Sequence, residues 1–104
     1  MDAAAAVTSC SPAFVYMFIE ALADGGVLAG LSRNDALALA ARAVAGSAAM
    51  VLQSGMHPGA LKDMVCSPAG STIEGVAALE AHGFRSAVMQ AAVASYRRNQ
   101  ALGE

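Results

Sequence analysis

Residues Leu61 to Glu80, LKDMVCSPAGSTIEGVAALE, read as the end of a short helix, a Ser-Pro-Ala-Gly-Ser-Thr turn and a fresh helix start. Small residues and hydroxyls gather there, where backbone N–H groups lack intrahelical partners. Ser71 to Glu74 is a capping-box pattern, with Ser71 or Thr72 as N-cap and Glu74 reaching back. A helix N-terminus carries unpaired donors and about half a positive charge. A glycine just before it lets a ligand approach the backbone. Gly70, Ser71 and Thr72 therefore make a candidate pocket for a carboxylate or a phosphate. The plain alternative is a capped helix that binds nothing.

Helices are expected on both sides of this turn. Met1 to Ser9 reads as an irregular start, a cut point or a junction. Ser11-Pro12 reads as an N-cap followed by proline at the first helical position. The first helix is expected from about Pro12 to Leu28 and is apolar on nearly every face. Such a helix must be buried on all sides, which in a chain of this length requires a partner. Gly25-Gly26 inside it marks close packing or a bend. Ser32 opens a second helix, with Asp35 three residues on, and Gly55 stops it. Leu37, Ala40, Ala41, Val44, Ala48, Val51 and Leu52 recur there at near-helical spacing. Its many small residues suit close helix–helix approach in an interdigitated dimer; a bundle helix of a monomer is the alternative. His57-Pro58-Gly59 opens a third helix, running to about Val65. A fourth is expected from Thr72 to about Ala81, stopped at His82-Gly83, and a fifth from about Arg85 to Leu102. On the fifth, Val88, Ala91, Ala92 and Tyr96 form the apolar side, and Arg97 and Arg98 sit near its C-terminus, where cations favour the helix dipole. Strand-like alternation is absent, so the fold class is all-α.

Composition points the same way. Of 104 residues, 57% are hydrophobic and 13% charged, about half the usual charged share. A chain this short exposes much of its surface, so it has more apolar side chain than a monomer can hide. A subunit interface or a membrane would resolve that. Pro12 to Leu31 contains Glu20, Asp24 and a Gly pair, which argues against a spanning helix. No basic n-region or apolar h-region marks a signal peptide. The expected place is the cytoplasm, with no membrane partner. Net charge is −2 with six scattered basic residues, so nucleic acid is not an expected partner. Cys10 and Cys66 fit no metal knuckle and read as reduced, small apolar residues. No His, Cys or acidic set has metal spacing. His57 and His82 read as helix-end residues, Glu20 and Asp24 as a solvated edge or a helix-end contact, and Lys62-Asp63 as a local ion pair.

The quoted stretch resembles the signature of pyrroline-5-carboxylate reductase. Leu61-Lys62-Asp63, the Ser67-Pro68-Ala69-Gly70-Ser71-Thr72 turn and Leu79-Glu80 carry the likeness. Ser11 to Phe14, Ile19 to Leu31, His57 to Asp63 and Gly83 to Arg85 are similar to the family's C-terminal domain in order and spacing. Two departures stand out: Ala69 occupies a position where the family has Gly, and Thr8 to Ser11 is poorer in Gly than the family's first turn.

The resemblance implies an all-α bundle of about five helices, an interlocked homodimer of the 6-phosphogluconate dehydrogenase C-terminal-like type. Residues 1–104 would be the C-terminal dimerisation and substrate-carboxylate-binding domain. The family's reaction, in proline biosynthesis, is hydride transfer from NADPH or NADH to the imine of pyrroline-5-carboxylate. A dinucleotide needs a strand, a Gly-rich turn and a helix, and neither that strand nor GxGxxG is found here. The cofactor-binding domain is thus expected outside these residues, and the chain alone is expected to bind no cofactor and to be inactive. By resemblance, Ser67, Gly70, Ser71 and Thr72 bind the substrate, and Thr72 is the catalytic residue, its hydroxyl meeting the ring nitrogen. A homodimer, or a higher oligomer, is the implied assembly. The alternative is a non-catalytic helical oligomerisation module that kept the fold.

Overall fold

The computed structural model describes residues 3–103, and every element among them is helical. The chain opens with one helical turn, α1 (Ala3–Ala5), and a π-helical turn (Ala6–Cys10) that runs directly into α2 (Ser11–Leu28). Then follow α3 (Arg33–Ser54), α4 (Pro58–Val65), α5 (Ser71–Ala81) and α6 (Phe84–Gly103). Counting the continuous α1–π–α2 rod once, this is the expected set of five helices.

The beginning departs from the sequence expectation. Met1 and Asp2 lie outside the described residues, but Ala3 to Cys10 are helical rather than irregular. Ser11 is not an N-cap: its φ of −63° and ψ of −26° are helical. Proline inside a helix lacks an N–H and its ring collides with the carbonyl four residues back. The π turn widens the helix at that point. In π register the carbonyl left without a donor by Pro12 is that of Val7, and the Ser11 hydroxyl donates to it instead. Thr8 Oγ1 likewise donates to the Ala4 carbonyl at 3.0 Å. The Ser-Pro pair is thus a bridged irregularity within a helix. Sequence rules read it as a start because that is the commoner use.

Other boundaries fall as expected. The Ser32 hydroxyl accepts from the Asp35 N–H at 3.2 Å, capping α3, and Gly55 at φ +67° ends that helix in the left-handed conformation. His57 caps α4, with Nδ1 accepting from the Gly59 N–H at 2.9 Å. Asp24, near the end of α2, pairs with Arg33 at the start of α3. Lys62 pairs with Asp63 at 3.0 Å, the expected local ion pair. His82 Nδ1 lies 2.9 Å from the Ala78 carbonyl at the end of α5. Helix α6 ends at Gly103, one residue past the expected Leu102, with Arg97 and Arg98 just before its last turn.

The core is a seam between α2 and α3 made of the smallest side chains. Ala23, Ala36 and Ala40 are buried there, with Ile19 and Val27 packed against them. A Cβ on Gly26 would sit 3.4 Å from the Ala36 Cβ and 3.2 Å from Leu31 Cδ1. Gly26 thus marks close packing, while the space beside Gly25 is open. Across the fold, α6 packs against the π turn, in which Ala6 is buried, and a tilted Phe18–Phe84 ring pair 6.0 Å apart joins it to α2.

Among the described residues only four alanine-sized side chains are buried, and no large one is. Leu28 is 91% exposed and Leu52 83%; Tyr16, Met17, Met64 and Met89 are exposed as well. The accessible surface is 7601 Å². A monomer of this mass exposes about 5,400 Å². The radius of gyration is 15.8 Å, against about 13 Å for a compact domain of this length. One chain therefore forms an open framework whose apolar faces are unpaired. Two helical stretches, Ala3–Leu28 and Arg33–Ser54, are long and apolar enough to cross a membrane by length and composition alone. They hold Glu20, Asp24, Arg33, Asp35 and Arg42.

Candidate functional site

The candidate site is the bend from α4 into α5. Cys66 ends α4 with extended backbone, and its N–H turns back to the Asp63 carbonyl at 3.2 Å. Ser67 to Gly70 then form a β-turn closed by the Gly70 N–H on the Ser67 carbonyl at 3.1 Å. Pro68 sets a negative φ at the second position, and Ala69 has φ +59° at the third, which together define a type II turn. Ala69 is the sole non-glycine residue with positive φ among the described residues.

Gly70, not Ser71 or Thr72, is the N-cap of α5, with φ −81° and ψ 172°. The capping box expected at Ser71 to Glu74 is not formed: no side chain caps this helix, and Glu74 sits one position too far along to reach back. The helix starts one or two residues before the predicted cap because the N-cap is a glycine, which carries no side-chain oxygen to mark it. The consequence matters. A helix that starts at Ser71 leaves the Ser71, Thr72 and Ile73 N–H groups without acceptors among the described residues. The Gly70 N–H, expected to face a ligand, is already engaged by the Ser67 carbonyl. Ile73, unmarked by its side chain, supplies the third free donor.

The structure brings all four sequence-named residues to this bend. Ser67, Ser71 and Thr72 are exposed, their hydroxyls unbonded among the described residues, and Gly70 is half-buried. A Cβ on Gly70 would collide with the Ser67 Oγ and lie 3.2 Å from the Ser67 carbonyl oxygen. Glycine is therefore required there by contact with Ser67, since its φ is open to any residue. No basic side chain stands in this bend, so its positive potential comes from the α5 dipole. Three N–H donors and three hydroxyls suit a small anion such as a carboxylate, held by directed hydrogen bonds.

Two shallow clefts among the described residues lie elsewhere. One, about 410 Å³, runs between Cys10 and the Ala94–Leu102 part of α6, and the other, about 200 Å³, follows the α2–α3 seam past Leu22, Gly26 and Leu39. His57, His82, Glu20 and Asp24 are not part of the bend. Cys10 and Cys66 are free thiols, both half-buried. No group of three or more His, Cys, Asp or Glu side chains among the described residues could hold a metal ion.

Residues 1–102 match the family described as pyrroline-5-carboxylate reductase dimerisation. The chain belongs to that family. Its relatives include the pyrroline-5-carboxylate reductase of Methanosarcina acetivorans, 51% identical over 104 residues, which cover 100% of this chain and 38% of the relative. That of Escherichia coli is 55% identical over 98 residues, covering 94% of this chain and 36% of the relative. Among solved structures, Plasmodium falciparum pyrroline carboxylate reductase with NADP bound superposes with a TM-score of 0.94 at 41% identity, over 100% of this chain and 40% of that one. The reductase from Coxiella burnetii gives 0.91 at 29% identity, over 96% and 37%. The chain thus spans well under half the length of these relatives, and its match falls in their C-terminal part. The all-α fold expected from the sequence is the fold of this dimerisation domain.

Proposed function

We propose that this chain, residues 1–104 as one unit, serves a pyrroline-5-carboxylate reductase in two ways: it joins two subunits, and it holds the substrate carboxylate at the start of α5. The reaction would be NADPH- or NADH-dependent reduction of the C=N bond of 1-pyrroline-5-carboxylate to L-proline, in the cytoplasm. The observation that carries the reading is the uncapped α5 N-terminus, with three free N–H groups beside Ser67, Ser71 and Thr72 inside a family match over residues 1–102.

The N–H groups of Ser71, Thr72 and Ile73 would take the carboxylate, with Ser67 alongside. Thr72 Oγ1 would hydrogen-bond the ring nitrogen and fix the imine's orientation. That positions substrate more than it transfers a proton, because a threonine hydroxyl is a poor acid. The described residues do not fit a dinucleotide: none forms a strand, and the sequence has no GxGxxG turn. The nucleotide would be held by residues beyond this chain, so the isolated chain is expected to be inactive.

A homodimer is supported by the exposed apolar faces and by a surface about 40% larger than a monomer of this mass shows. The excess, about 2,200 Å² per chain, is of the size that obligate dimers cover. The same covering accounts for the two apolar helical stretches without lipid. A second reading, an oligomerisation module that kept the fold and lost the chemistry, draws on Ala69, a residue whose φ favours glycine. The test is Thr72→Ala in a protein that joins these residues to a dinucleotide-binding domain. Lower turnover with an intact dimer supports the enzyme, and unchanged kinetics refute the role of Thr72.

A further inference from the structure

The Ser67–Gly70 turn is held in a form that its own sequence disfavours. A type II turn needs positive φ at its third position, which glycine or asparagine supplies easily and alanine does not. Ala69 nonetheless stands at φ +59°. Pro at the second position, Ala at the third and Gly at the fourth fit the type I turn better, with φ near −90° at the third. The two forms interconvert by rotating a single peptide unit, Pro68–Ala69, while the chain enters and leaves in the same directions. Both keep the Gly70 N–H on the Ser67 carbonyl, now 3.1 Å apart. Ser67, Pro68 and Ala69 are all exposed, so no packing among the described residues of this chain blocks the rotation.

We propose that Ala69 makes this turn a two-state element, in which the Pro68–Ala69 peptide flips between the type II form and a type I form. The flip exchanges the directions of the Pro68 carbonyl and the Ala69 N–H beside the start of α5. If α5 holds a carboxylate, which rests on the reading above, one form turns a donor toward that end and the other turns it away. Ala69 is then a positioning residue acting through the backbone. Its methyl shifts the flip equilibrium toward type I by on the order of tenfold relative to glycine.

The test needs no ligand and uses the whole 104-residue chain. In a type II turn the Pro68 Hα lies close to the Ala69 amide proton, and in a type I turn the two are well apart. The nuclear Overhauser effect between them therefore reads the population directly. The expected result is intermediate intensity in the native chain, full type II intensity in Ala69→Gly, and weak intensity in Ala69→Val, whose branched side chain tolerates positive φ least. Equal intensity in all three chains, or none in the native one, overturns the proposal. Failure of carboxylate binding alone would count against the function proposed above and leave this result standing.

Discussion

The α2–α3 seam and the Ser67–Thr72 bend are built from equally small residues, yet they do opposite things. In the seam, Gly26, Ala23, Ala36 and Ala40 are small so that two helices can touch, and the alanines are buried. In the bend, Gly70 is small because Ser67 lies against it, and the Ser71, Thr72 and Ile73 N–H groups stay open among the described residues. The seam is complete within one chain. The bend stays exposed within one chain. Small side chains thus serve either packing or access, and what decides is whether a second element of the same chain lies over them.

The sharpest way to break the contrast is to enlarge a residue in the seam. Gly26→Val would press on Leu31 and Ala36, whose nearest atoms lie 3.2 and 3.4 Å from a Cβ at that position. The expected cost is about 2 kcal/mol, from overpacking, with only a few tenths offset by valine's higher helix propensity. The thermal midpoint should fall by roughly 10 °C or more, and the dimer should weaken with it. In the bend, Thr72→Ala in the complete reductase should reduce turnover about tenfold, the value of one lost neutral hydrogen bond in the transition state. Its thermal midpoint and its dimer should not change, because Thr72 is exposed.

These two regions were unequally legible in the sequence. The helix count, the all-α class, the Ser32 cap and the Gly55 stop follow from local rules, because each rests on residues within one turn of one another. Helix α5 starts earlier than the Ser71–Glu74 pattern predicts because its N-cap is a glycine, and the Ile73 N–H that this frees leaves no trace in side-chain type. Ser11-Pro12 was misread because a π turn depends on which carbonyl loses its donor, and that is a property of register. Gly70, Ser71 and Thr72 are candidates from the helix-start pattern, whereas Ser67 and the proposed roles rest on the resemblance to the family turn. Nothing in the sequence alone shows that Gly70 turns its N–H inward.

Two smaller effects sharpen the contrast further. Ser32→Ala removes the acceptor for the Asp35 N–H and should lower stability by about 1 kcal/mol, measurable by urea unfolding. The change lies at the end of the seam and should leave substrate binding alone. Asp24→Asn removes the charge pairing of α2 with Arg33, and both groups are half exposed. Its effect should be under about 1 kcal/mol and should shrink as salt is added, since exposed pairs are screened. A large, salt-insensitive loss would mean that this ion pair is covered in the assembly.

The central claim is that the seam's outer faces are covered by a second copy of this chain. Sedimentation equilibrium at low micromolar concentration, without detergent, tests it most directly. The account predicts a single species of twice the 10.4 kDa chain mass. A folded species of one chain mass would contradict it.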